Sequence, residues 1–205
     1  MPEPKPTVPA SPAGSTATPS GVIADLVRDH GLILRATVAL ERCAARLTAP
    51  GEVDKREREH LALLLGFFRD FAEGIHDAKE EEALIPALVG AGVPADTGIV
   101  REIMDVHLQA TERLARVTAK RAEPALEPIA DYSELLRQHL RAEEHSLFPL
   151  VERFLDPASE QRVLVGFRQI EARAGDERGY DGFDREIGRL LAPLDQLYPD
   201  RKRPW

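Results

Sequence analysis

The sequence has little cysteine and fewer basic than acidic residues, and each of these features excludes a class of protein. Cys43 is the single cysteine, so the chain can form no internal disulfide and no thiolate metal cluster. The formal net charge of −8 offers no basic surface to nucleic acid or to an anionic membrane. No apolar run is long enough to cross a bilayer. We therefore expect a cytoplasmic protein whose partners are neither nucleic acids nor membranes.

The first twenty residues also lack what a folded segment needs. They are rich in Pro, Ala, Ser and Thr, and they cannot bury enough apolar surface to become ordered. They also lack the charged and then apolar pattern of a secretory signal. The predicted organisation is a disordered tail over residues 1–20, a helical domain over residues 21–155 and a C-terminal helical extension over residues 156–205.

Strand-like alternation is absent beyond the tail, and apolar residues recur every three or four positions, which predicts an all-α fold. Short breaks separate four long helices, predicted over residues 22–47, 53–89, 94–122 and 123–155. Short connections favour an up-down-up-down four-helix bundle. Two further amphipathic helices are expected in the C-terminal extension. Their apolar stripes are Val163, Leu164, Phe167 and Ile170, and then Ile187, Leu190, Leu191, Leu194 and Leu197.

One short motif occurs twice, as "HDAKE" from His76 and as "HLRAE" from His139. Residues four apart on a helix point in nearly the same direction, so each motif places its histidine and its last glutamate on one face. The same face carries the apolar residues of its helix and therefore points into the core. Histidines on the first and third helices continue apolar stripes in the same way, the first of these stripes including Val27 and Leu34. The predicted inward site residues are His30, His76, Glu80, His107, His139 and Glu143.

Two buried carboxylates need positive charge nearby, because each costs several kcal/mol when it is buried alone. No inward Lys or Arg is evident on the apolar stripes. A bundle core is a common place for dinuclear carboxylate metal sites. Imidazole and carboxylate without thiolate suit iron or manganese, although imidazole also suits zinc and copper. The competing interpretation is a bundle without metal, in which hydrogen bonds satisfy the histidines.

The remaining polar residues near the motifs are expected to lie outside the site. His60 lies on a charged face and should be exposed, and His145 should lie at the rim or in an outer shell. Tyr132 lies two turns before His139 on the same face, where it either packs in the core or reaches the metal. A solvated acidic face is expected for Asp77, Glu81, Glu82 and Glu144.

The order of these motifs resembles the hemerythrin-like HHE cation-binding domain family, over about residues 21–155. The resemblance implies a non-haem di-iron centre with four terminal histidine ligands, two bridging or capping glutamates and room for an oxo or hydroxo bridge. Oxygen-carrying hemerythrins have a second histidine at the position of Thr111 and an aspartate at the position of Glu144. Their absence makes this chain similar to the bacterial His, His-x-x-x-Glu, His, His-x-x-x-Glu subclass.

The missing ligands suggest an open centre. Two six-coordinate irons offer about twelve positions, of which four histidines and two bridging glutamates fill about eight. We therefore expect redox handling of peroxide, dioxygen or nitric oxide, as in a catalase-like or nitric oxide-handling oxidoreductase whose electron donor the sequence does not identify. The alternative is a module that binds or senses oxygen or iron without turnover. Iron delivery and a ferritin-like oxidase fit less well, because the tail has no cysteine and Leu136 stands where Glu-x-x-His needs a glutamate.

Overall fold

A computed structural model describes residues 20–48, 55–96, 98–119 and 126–174, together with residues 182, 185, 187–189 and 192. Helix α1 is Gly21–Leu47. Helix α2 runs without a break through α-helical Lys55–Phe67, wide π-helical turns at Phe68–Asp77 and Glu80–Leu84, and α-helical Ile85–Gly90. Helix α3 is Gly98–Ala119. Helix α4 joins Leu126–Ala142, a π-helical turn at Glu143–Leu147, and Phe148–Phe154, and helix α5 is Pro157–Arg173.

Four helices form a closed bundle in sequence order. Helix α1 packs against α2 and α4, and α3 packs against the same two neighbours. No strand occurs in the residues that the structure describes. The predicted all-α, up-down-up-down four-helix bundle is confirmed, with α5 as an additional C-terminal helix that packs on α1 and α2. None of the described helices is long and apolar enough to cross a membrane.

The predicted start of the third helix near Pro94 was wrong. The chain after α2 is used to cap that helix, because the amides of Ala91 and Val93 donate hydrogen bonds to the carbonyls of Ala87 and Leu88 at 3.0 Å. Gly92 takes a φ of 102° there, which favours glycine. Residues 93–96 are therefore not helical, and α3 begins at residue 98.

The core consists of two apolar clusters with buried polar residues between them. One cluster includes Leu40 and Phe68, and the other includes Leu26 and Phe167. The buried polar residues are Asp29, His30, Thr37, Glu57, His76, Lys79, Glu80, His107, Ser133, His139 and Glu143. Most of them come from the predicted inward faces of the four helices.

The apolar stripe of α1 is narrower than predicted. Val27 and Leu34 were expected to point inward, but their exposed fractions are 47% and 37%. Both lie on the flank of His30 that turns away from the bundle, whereas Leu26 and Ile33 lie on the packed flank. The periodic pattern did not distinguish the two flanks because both carry apolar residues.

The two copies of the motif share an irregular turn. The amide of Ile85 bonds to the carbonyl of Glu80, and the amide of Phe148 bonds to that of Glu143, so each bond spans five residues instead of four. A proline follows each amide directly. Single wide turns of this kind accommodate an extra residue in a helix and occur often at functional sites.

Helix α5 is fixed against α2 by a close contact. Val163, Phe167 and Ile170 are buried, which confirms most of the first predicted C-terminal stripe. At Gly166, an added Cβ atom would lie 2.9 Å from the Cβ atom of Ala83, so only glycine allows this approach. Ile187 of the second stripe is also buried. The rest of that stripe and the predicted tail lie outside the described residues.

Candidate metal centre

All six predicted site residues lie together at the centre of the bundle. The Nε2 atoms of His139 and His30 lie 2.6 Å and 2.9 Å from the two carboxylate oxygens of Glu143. The Nε2 atom of His76 is 3.8 Å from the same carboxylate. On the other side, the Nε2 atom of His107 lies 3.4 Å from Glu80. Each of these side chains is at most 5% exposed.

The donor atoms form two groups with one member in common. A three-residue group consists of His30, His76 and Glu143, and a four-residue group consists of Glu80, His107, His139 and Glu143. Within each group the donor atoms lie within 4.8 Å of one another. Two adjacent groups that share a carboxylate have the geometry of a dinuclear site.

The donor atoms fit cations better than they fit one another. The Nε2 atoms of all four histidines and all four carboxylate oxygens of Glu80 and Glu143 are buried without a hydrogen bond of good geometry. Buried polar atoms are nearly always satisfied, and leaving one unsatisfied costs about 1–3 kcal/mol. Two cations would satisfy the whole set at once. In the alternative of a bundle without metal, the short contacts of Glu143 with His30 and His139 would have to act as hydrogen bonds in spite of their poor geometry.

The glutamate that follows each inward glutamate orients a histidine on a neighbouring helix. Glu144 contacts the Nδ1 atom of His30 at 2.9 Å, and Glu81 contacts the Nδ1 atom of His107 at 2.7 Å. Such contacts fix the tautomer and leave Nε2 free for a metal. Both glutamates are exposed, as the predicted solvated face required, but the prediction did not include their contacts with the histidines. The repeated Glu-Glu pair in both motifs marks these residues in the sequence, but it does not identify the histidines that they contact.

A buried lysine lies behind the three-residue group. Lys79 is fully buried, and its Nζ atom lies 2.7–2.8 Å from Asp25, Asp29 and Glu171. The expectation that no inward lysine exists was therefore wrong. Its charge is balanced by these three carboxylates and not by Glu80 or Glu143. Asp29 is also 3.8 Å from the Nδ1 atom of His76, so it links the lysine to the centre.

The electrostatics keep Glu143 charged. Burial raises the pKa of Glu143, but the charge of His139 and contacts with His30 and His76 outweigh burial and hold it well below its usual range. Burial lowers the pKa of His107, whereas Glu80 and other nearby carboxylates raise it to about 10. The centre therefore presents an ionised carboxylate, the form that binds a cation, whereas a cation that binds to His107 must displace its proton.

Tyr132 packs in the core, in edge contact with Phe68 at a centroid distance of 5.4 Å. Its hydroxyl group is buried without a hydrogen-bond partner. Burial raises its pKa well above the usual value, and the charges of Glu73 and Asp77 add to this. The phenol therefore stays protonated at neutral pH.

The other two histidines lie away from the centre. His145 is exposed, with its Nδ1 atom 2.8 Å from the carbonyl oxygen of Arg141. His60 is half-buried, so the expectation that it is exposed was wrong. Near it, Glu57 lies on α2 and pairs with Arg46 of α1 at 2.9 Å.

A groove of about 640 Å³ opens between α2 and α3 and reaches the four-residue group at His107. Thr111, the position one turn after His107, is exposed and lines this groove. Asp77, expected on a solvated face, also lines it with a side chain only 14% exposed. Glu82 fits that expectation better, because it lies at the surface and pairs with Arg173 at 2.7 Å.

These features define a helical bundle built to bind cations, and comparison with known families agrees. The family model of the hemerythrin HHE cation binding domain matches residues 21–155, which include the whole four-helix bundle. The chain belongs to this family, as the resemblance implied. Neither the curated proteins nor the solved structures that were searched gave a match.

Proposed function

We propose that this chain holds a non-haem di-iron centre and uses it for redox handling of a small molecule such as peroxide, dioxygen or nitric oxide. The observation that supports the centre most strongly is the carboxylate of Glu143, which belongs to both donor groups. In this proposal Glu143 would contribute a ligand to both metal positions and Glu80 would contribute one to the four-residue group. The order of ligands also supports membership of the bacterial subclass that lacks the extra histidine.

The donor set supports iron. Nitrogen and oxygen donors without thiolate suit iron, although manganese shares this preference. Iron would supply the ability to accept and return electrons. The two groups provide three and four protein donor atoms, whereas a six-coordinate ion has about six positions. Exogenous small molecules can occupy the remaining positions, which is the reason for favouring reaction over storage.

The residues around the proposed metal centre orient its histidine ligands and surround it with apolar side chains. Glu81 and Glu144 orient His107 and His30, as their contacts with the Nδ1 atoms indicate. The two apolar clusters flank the polar residues and lower the polarity of their surroundings. Electrostatic interactions are stronger in such a site than at the surface. Thus both the orientation of the ligands and the apolar surroundings of the site are set by the chain.

The first test is metal content with an ultraviolet-visible spectrum of anaerobically purified protein, before and after peroxide is added. We expect two irons per chain, one for each donor group, and charge-transfer bands that change while oxygen evolves. If the bands change reversibly with oxygen but the protein does not turn over peroxide or nitric oxide, a binding or sensing module would be favoured. Protein that binds no iron would refute the proposal.

The shared carboxylate allows a sharper test. Glu143→Ala removes a donor from both groups, whereas Glu80→Ala removes one from the four-residue group alone. We expect Glu143→Ala to lose most of both irons and Glu80→Ala to keep the iron of the three-residue group. Glu112→Ala, at an exposed position on α3, is the control and should bind iron as the unmodified protein does. Equal iron content in the Glu80 and Glu143 variants would contradict the assignment of Glu143 to both metal positions.

A further inference from the structure

The groove between α2 and α3 leads to only one of the two donor groups. His107 lines it, and this side chain is 4% exposed with an Nε2 atom that has no hydrogen-bond partner. Asp77, also in the lining, lies 3.8 Å from that atom. A molecule that enters the groove therefore meets the four-residue group first.

The three-residue group is covered by packing on the sides that the structure describes, except where the exposed Glu144 contacts His30. The ring of Phe148 stacks on the ring of His30 at 5.5 Å. Asp29 and Lys79, both with no exposed surface, lie behind His76. The two groups thus differ in their access to solvent although they share a ligand.

The walls of the groove are acidic, although burial raises the pKa of Glu73 to about 7 and so leaves that carboxyl only partly ionised at neutral pH. Carboxylates on α2 line it at Glu73, Asp77, Glu81 and Glu82, and its described lining includes no Lys or Arg. Arg173 neutralises Glu82 at the rim through contacts of 2.7–2.8 Å. A cleft of one charge sign repels small ions of that sign and admits neutral molecules more readily.

We propose that this groove is the entry path for small uncharged molecules to the four-residue group, and that the three-residue group exchanges with solvent much more slowly. The inference rests on the proposed di-iron function. It adds that the two metal positions are unequal and that the acidic walls select against anions.

Iron release tests the path without requiring turnover. Protein loaded with iron(II) is mixed anaerobically with either bipyridyl, which is uncharged, or ferrozine, which carries sulfonates. Thr111→Trp places a bulky side chain in the lining, and Met104→Trp does so at a second lining position. Gln109→Trp adds the same side chain at an exposed position of α3 outside the lining. Thr111→Val keeps the groove open without the hydroxyl.

We expect bipyridyl to remove half of the iron in a fast phase and ferrozine to be slower by about tenfold, which corresponds to 1.4 kcal/mol in the barrier. Thr111→Trp and Met104→Trp should slow the fast phase with bipyridyl by about tenfold or more. Gln109→Trp and Thr111→Val should release iron like the unmodified protein. If one tryptophan variant fails to fold, the other still decides the result.

Release of both irons in a single phase would overturn the inference, as would equal rates in all three tryptophan variants. An equal rate with the two chelators would overturn the charge selection. A protein that shows the expected release but leaves peroxide and nitric oxide unreacted would refute the redox function while keeping the entry path. A protein that binds no iron would overturn both.

Discussion

Replacing Lys79 with methionine should strongly destabilise the bundle. The lysine Nζ atom lies 2.7–2.8 Å from three carboxylates, and the lysine and one of its partners, Asp29, are fully buried. Asp25 and Glu171 are 23% and 25% exposed, so water can solvate them after the substitution. Asp29 has no such access. The main cost of Lys79→Met is therefore a buried carboxylate whose remaining partner is His76, at 3.8 Å.

The expected loss is about 3–5 kcal/mol in the free energy of unfolding, which is typical for breaking a buried ion pair by removing one partner. The contact of the Nζ atom with the ring of Phe167, at 5.4 Å from the centroid, would add about 2 kcal/mol because both groups are buried. Urea unfolding of the iron-free protein at neutral pH measures this loss. Lys55→Met is the matched control, because Lys55 is 89% exposed and its replacement should cost less than about 0.5 kcal/mol.

A second variant separates the buried charge from the lost packing. Asp29→Asn added to Lys79→Met removes the buried carboxylate, so the double variant should be more stable than Lys79→Met alone. A loss below about 1 kcal/mol for Lys79→Met would refute the reasoning, since it would place the lysine in contact with water. So would a double variant whose loss equals the sum of the two single losses, because residues in contact should not be additive.

Three further outcomes follow from the packing and electrostatics. Gly166→Ala should cost about 1–3 kcal/mol of stability because its Cβ atom would lie 2.9 Å from Ala83. Gly66→Ala, whose Cβ atom would have nothing within 4 Å, should stabilise α2 by about 0.5–1 kcal/mol. Thermal unfolding compares the two variants, and equal effects would contradict the close contact at Gly166. Burial raises the pKa of Glu73 from 4.5 to about 7, so the folded protein holds this proton more tightly and loses stability as the pH rises through that range. Glu73→Gln should therefore stabilise the protein more at pH 8 than at pH 5, and an equal gain in urea unfolding at both would count against the burial. Glu144→Ala should weaken iron binding by about 10–100-fold because it frees the ring of His30. Competition with a chelator measures the affinity, and an unchanged value would contradict the role of Glu144 in orienting the ring.

Helical periodicity was sufficient to predict which residues converge. A direction that repeats every 3.6 residues places His76 with Glu80 and His139 with Glu143, whatever their neighbours do. An apolar stripe also identifies the face that turns inward. The bundle and the gathering of the six inward residues therefore followed from local pattern alone.

The outer contacts could not be predicted in this way. Glu81 and Glu144 turn away from the histidine of their own helix, but they reach a histidine on the next helix, and a single helix contains no information about that distance. Lys79 was missed for the same reason, since its carboxylate partners come from α1 and α5. The late start of α3 depended on how the end of α2 is capped.

The sharing of carboxylates has a consequence for how the chain is divided. The hairpin of α1 and α2 contributes both histidines of the three-residue group, but the glutamate of that group, Glu143, lies on the other hairpin. The hairpin of α3 and α4 contributes both histidines of the four-residue group, which also includes Glu80 from the first hairpin. The contacts to the Nδ1 atoms also run between the two hairpins, from Glu144 to His30 and from Glu81 to His107. Neither hairpin holds a complete set of donors by itself. Metal affinity in this protein is therefore a property of the union of its two halves, and a metal bound there holds the halves together as a clasp would.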